Sequence, residues 1–201
     1  MKQLLLSSLG LLAIYAAQAQ SNNPYDENGK KIVESARYLQ AEIKAGKIKD
    51  LDEATVSYYS ARLPIANKAS VELVTEIIQM ATKSSLEEVA EKSGMSSRGK
   101  EILMDINQNS RLLHAAAYRD YLTKTVEVIQ NARLQPNEEE ILLTGTSALY
   151  HHSPNDPTYV INDPVAAWTL VGLVGGHILC GPPCAAAGAV IGFIIGSLFV
   201  K

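Results

Sequence analysis

Between residues 164 and 200 the chain has no Asp, Glu, Lys or Arg, and no other stretch restricts the fold so tightly. The segment "PVAAWTLVGLVGGHILCGPPCAAAGAVIGFIIGSLFV" carries one imidazole, His177, and stops against Lys201. Gly181-Pro182-Pro183 interrupts any helix running through it, because proline lacks an amide hydrogen and clashes with the preceding turn. The run therefore predicts two apolar helices, 165–179 and 184–200, with Asp163 ahead of Pro164 as the start signal. A helix of this length reaches about 25 Å, slightly less than a hydrocarbon core of about 30 Å. Bilayer thinning and a snorkelling Lys201 can absorb that shortfall.

Within the second half Gly188, Gly192 and Gly196 recur at every fourth position, forming a smooth groove on one helical face. Such a groove lets another backbone approach closely. Gly172 and Gly176 share the spacing in the first half and can meet the groove across the turn. In water each glycine costs a helix roughly 1 kcal/mol relative to alanine, whereas in lipid the backbone must pair internally and the helix is kept. Both halves are apolar all round, while a bundle helix normally keeps a polar stripe. The expectation is a glycine-zipper, membrane-type hairpin over 164–201 that inserts into or associates with lipid, or joins other copies of the chain. The bland alternative is a hairpin wrapped by the rest of the protein. Gly175-Gly176 also has the form of a double-glycine leader site, which would release a bacteriocin-like peptide.

The turn reads "CGPPC", with the chain's two cysteines, Cys180 and Cys184. Three residues separate them rather than the two of a redox pair, and no strand-to-helix context surrounds them. The readings left are a disulfide closing the turn, which is favoured, or two free thiols. The remainder has no cysteine framework and must fold by apolar packing.

At the other end, "MKQLLLSSLGLLAIYAAQAQ" has a basic start, a short apolar run and the small-x-small triplet Ala17-Gln18-Ala19. This predicts a signal peptide over 1–19, hence an exported protein of the periplasm or cell envelope. The net charge of −3 argues against a nucleic-acid partner, which usually requires a basic face.

Residues 20–153 show helical periodicity and almost no alternation. Ile32, Ala36, Leu39 and Ile43 share one face, and Gly46 supplies a stop. Asp50 with Glu53, and Ser85 with Glu88, have capping-box spacing. Pro64 ends the second helix, Val71 to Ala81 marks a third, and Gly94 stops the fourth. A helix is expected near 98–107, and a long one over 110–133 with Leu112, Ala115, Tyr118, Leu122, Val126 and Ile129 inward. The last opens at Pro136, with Glu138, Glu139 and Glu140 as a solvated start near the positive helix end. The fold class is thus all-α: a compact bundle of about six helices, a loop linker at 154–163, and the hairpin.

Chemistry-bearing patterns are weak. "SLEEVAEKSGMSSRGKEIL" has the outline of a helix-turn-helix, but acidity and export favour two capped helices around a glycine turn. His151 and His152 are adjacent and point about 100° apart on a helix, so they do not share a metal. His114 and His177 have no ligand partner at metal spacing, and Ser147 lacks the glycines of a nucleophile elbow. No catalytic residue, cofactor or metal is assigned.

"NPYDENGKKIVESARYL" after the signal site, "TSALYHHS" before a loop, and the zippered tail together resemble a group of uncharacterised exported helical proteins of Gram-negative bacteria. The resemblance implies export, helicity and a glycine zipper; it supplies no activity and no site residues. The reading is a non-enzymatic exported protein whose tail meets membrane lipid or other copies of itself, the body being an interaction domain for an unidentified protein. The alternatives are a pore-forming or bacteriocin-like effector, and a hydrolase with an unrecognised site.

Overall fold

A computed structural model describes residues 22–50, 52–63, 69–153 and 164–199. The expected signal peptide, Pro64, the linker, Val200 and Lys201 lie outside the described residues. Among those described, the chain forms nine helices and no strand: α1 (Asp26–Lys44), α2 (Glu53–Ser60), α3 (Val71–Lys83), α4 (Leu86–Lys92), α5 (Ser97–Leu112), α6 (Ala115–Asn131), α7 (Pro136–His152), α8 (Pro164–Cys180) and α9 (Pro182–Phe199). The all-α class holds, with seven helices ahead of the hairpin where about six were expected.

Local chemistry sets the ends. Gly46 and Gly94 adopt φ of 69° and 70° after α1 and α4, a left-handed conformation that glycine accepts without a Cβ clash. Ser85 and Glu88 form a reciprocal box: Glu88 N–H donates to Ser85 Oγ at 3.2 Å and Ser85 N–H to Glu88 Oε2 at 3.0 Å. The start of α2 differs from expectation. Asp52, not Asp50, caps it, its Oδ1 accepting Thr55 N–H at 2.8 Å. Glu53 is itself the first helical residue, so the capping oxygen must come from its immediate neighbour.

The long helix expected over 110–133 is two. The chain is extended at Leu113 and His114, ending α5 and opening α6. Leu112, assigned to the inner face by spacing, is 66% exposed, whereas Ala115 is fully buried and carries the inward register of α6.

Helix α7 lies deep in the body, with Ile141 to Leu149 buried although four of the nine are Thr, Gly or Ser. Close approach explains the small residues. A Cβ on Gly29 of α1 would overlap Ser147 of α7, and one on Gly145 would lie 3.0 Å from Leu173 of α8. Thr146 stays buried because its hydroxyl donates to the Leu142 carbonyl at 2.7 Å.

The hairpin sits at the centre. Helix α8 packs against α3, α4, α5 and α7, and α9 against α1, α3 and α7. Ile32, Leu103, Leu122 and Leu142 of the body share one apolar cluster with Leu170, Val174, Val190 and Phe193 of the hairpin. No helix among the described residues is long and apolar enough to cross a membrane. That corrects the expected transmembrane hairpin: α8 and α9 have only 17 and 18 residues, short of the roughly 20 that a spanning helix needs.

Candidate functional site

The two hairpin helices meet along a seam of backbone. A Cβ on Gly172 would lie 2.8 Å from the Gly188 carbonyl carbon, and one on Gly188 would lie 2.9 Å from that of Gly172. On Gly176 it would come within 2.7 Å of the Cys184 carbonyl carbon, and on Gly192 within 2.7 Å of the Trp168 one. On Gly196 it would come within 2.6 Å of Val165 Cα. Real Cβ contacts are not so short, so each position admits glycine without movement of the opposing backbone. The structure thus brings Gly172, Gly176, Gly188, Gly192 and Gly196 together inside one hairpin. Gly175 lies off the seam, against Met80 of α3, and with Gly176 belongs to a buried stretch of α8.

Hydrogen bonds and a covalent link close the tip. Gly181, at φ 79°, donates its N–H to the His177 carbonyl at 2.8 Å, and its own carbonyl accepts Ala185 N–H at 3.0 Å. Cys180 and Cys184 form a disulfide across this turn, with Cα atoms 5.5 Å apart. The tip is the part of the hairpin that reaches solvent: Cys180, Pro182 and Pro183 are exposed, while most of 165–176 and 184–196 is covered.

The cover has a gap on the outer face of α9. There an apolar cleft of about 300 Å³ lies beneath α2, walled by Leu39, Ile43, Val56, Val74, Ile191 and Ile194. Lys49, Asp50, Thr55 and Ser60 are polar groups on its lining. A polar clasp holds α2 over α1. Glu42 binds Lys47 Nζ through Oε1 at 2.8 Å and accepts the Tyr59 hydroxyl through Oε2 at 3.2 Å. Lys47, before the Tyr59 hydroxyl, holds the Glu42 carboxyl below its ordinary pKa; burial and Glu42 together raise that of Tyr59.

The groups with catalytic potential are arranged as ties. Ser147 Oγ lies 2.8 Å from Asp26 Oδ1, and His151 Nε2 lies 3.0 Å from the same oxygen. A nucleophile needs its proton directed at the imidazole. Here Ser147 and His151 both address Asp26, and Ser147 is fully buried, so the trio pins the first turn of α1 to α7. Among the described residues no three His, Cys, Asp or Glu side chains gather as a metal site.

Glu138 differs from the solvated helix start expected of it. It is 5% exposed and accepts both the backbone N–H of Ser96 and, at 2.9 Å, the Ser96 hydroxyl. The start of α5 abuts the start of α7, so one carboxylate serves the orphan donors of a second helix as well as its own. A glutamate at the third position of a predicted helix gives no sign of that long-range role.

No protein-family model matches the chain, and neither the curated proteins nor the solved structures provide a match.

Proposed function

We propose that this is an exported, non-enzymatic helical protein that keeps an apolar hairpin under a sheath of amphipathic helices and associates with membranes through it. The observation that carries the reading is the division of the hairpin's surfaces. Its glycines face one another, so the two helices retain their mutual packing whether or not the body covers them. Its outer faces, with Val171, Val174, Val190 and Phe193, are apolar all round and suit either the present sheath or lipid. Association by shallow insertion is the form that fits two helices of 17 and 18 residues. Self-association through the same glycines would first require the hairpin to open, so lipid is the better-supported partner.

The experiment is flotation of the signal-free protein with vesicles of mixed zwitterionic and anionic lipid, from neutral to mildly acidic pH. The expected outcome is co-flotation, with proteolytic protection of the hairpin in the floated fraction. A protein that stays monomeric in the aqueous layer throughout refutes the proposal. Release of an entrapped dye would move the reading to a membrane-damaging effector, whereas binding without leakage leaves it as stated.

A further inference from the structure

The cleft beneath α2 leaves aliphatic surface uncovered within the fold. Leu39, Ile43, Ile48, Ile78, Ile191 and Ile194 all stand on its walls, and each is only half-buried. They come from α1, the loop after it, α3 and α9, so their exposure belongs to the cleft and not to one loose element. Water held in a protein needs two to four polar partners, which walls of this kind do not offer. The space is therefore matched to an apolar occupant.

The lining narrows the chemistry. Thirteen of its eighteen described residues are aliphatic, and Tyr59 is the one aromatic among them, so a flexible chain suits the walls better than a planar ring. At about 300 Å³ the space stands at the lower end of ligand pockets, which run from roughly 300 to 1,000 Å³, and suits one chain rather than two. Its charged residues are Lys49 and Asp50, adjacent in the chain and both exposed. Among the described residues neither has an ion pair. A lone carboxylate at this rim meets Lys49 but is repelled by Asp50, and a lone ammonium meets the reverse. A head that carries both signs is complementary to both.

We infer that this cleft holds the acyl chain of a single-chain zwitterionic phospholipid, its phosphate toward Lys49 and its ammonium toward Asp50. The chain displaces water from the half-buried walls, and the head stays at the solvent-exposed rim. The site takes one lipid monomer from solution, without insertion of the hairpin into a bilayer. The inference therefore stands apart from the membrane reading and survives that reading's failure.

The test is calorimetric titration of the signal-free protein with lysophosphatidylcholines of eight, ten and twelve acyl carbons, each below its micelle concentration. Saturable one-to-one binding is expected, tightening about fourfold for each added methylene until the chain fills the cleft. Glycerophosphocholine, the head alone, is expected not to bind, and dodecanoate to bind more weakly than the twelve-carbon lysolipid. Ala69→Phe places bulk in the cleft and Ile48→Glu places a charge on its wall; each is expected to weaken binding roughly tenfold. Lys49→Glu, at the exposed rim, is expected to weaken it roughly threefold. Circular dichroism checks that each variant is folded. No saturable binding, or affinity independent of chain length, overturns the inference and leaves the chain itself as the occupant, with residues 64–68 joining the Leu63 and Ala69 walls. Unchanged affinity in both folded wall variants places binding elsewhere and overturns it too. Dodecanoate binding as tightly as the lysolipid overturns the zwitterionic head.

Discussion

At the residue scale, the seam glycines differ in kind from the turn glycines. Gly46, Gly94 and Gly181 are needed for positive φ and have open space where a Cβ would go. Gly172 is needed for the absence of a Cβ, which would overlap the Gly188 carbonyl. Gly172→Ala is therefore expected to destabilise the protein by about 1–3 kcal/mol despite alanine's better helix propensity, since overpacking outweighs it. Denaturant unfolding checks this, and a stability gain of about 1 kcal/mol would mean that propensity governs the position. The four-residue glycine spacing was legible in the chain because it is periodic. The role of Glu138 was not, because its partner Ser96 is 42 residues away and nothing in either neighbourhood encodes the pairing.

At the scale of elements, sequence located helices better than it located their joints. Capping residues act within three positions, so Ser85–Glu88 could be read directly, while the box spacing of Asp50 and Glu53 pointed two residues too early for the start of α2, which Asp52 caps. The break between α5 and α6 has neither glycine nor proline. It is made by Leu113 and His114 in extended conformation, which lets the two helices present different faces to the core. Helix α2 is held by the Glu42–Lys47–Tyr59 clasp, and this gives a pH dependence with a definite sign. The folded carboxyl has a pKa below its ordinary value, so the folded state takes up a proton less readily than the unfolded chain. The clasp's contribution is fully present above the ordinary carboxylate range and is lost as pH falls from there through the lowered folded pKa. Glu42→Gln is expected to flatten part of the acid limb of the stability curve and to leave neutral stability little changed, since Lys47 is largely exposed and Gln still offers the Tyr59 hydroxyl an acceptor. An acid limb identical in wild type and variant would contradict the assignment.

At the scale of the molecule, the hairpin is the surface around which the other helices are arranged. Body helices contact it from several sides, and residues of both share the main apolar cluster. A chain ended before Pro164 would expose Ile32, Leu142 and their neighbours to water where Leu170 and Val190 now cover them. It is expected to lose cooperative unfolding and near-ultraviolet dichroism while keeping part of its helicity. Circular dichroism of the truncated protein checks this, and a sharp two-state transition would show that the body folds alone.

Composition and spacing by themselves determined that the chain is helical, that its last segment is two apolar helices joined at a proline turn, and that glycines recur on matching faces. Those are local properties, set by periodicity and by the conformational limits of Gly and Pro. What covers the apolar helices was decided only by tertiary structure. An all-round apolar helix satisfies lipid and a protein interior equally well, because both are non-aqueous and neither demands a polar stripe. The same limit hid the tie between Ser147 and Asp26, which stand 121 residues apart and meet only when α1 and α7 pack, a pairing that no spacing within either helix records.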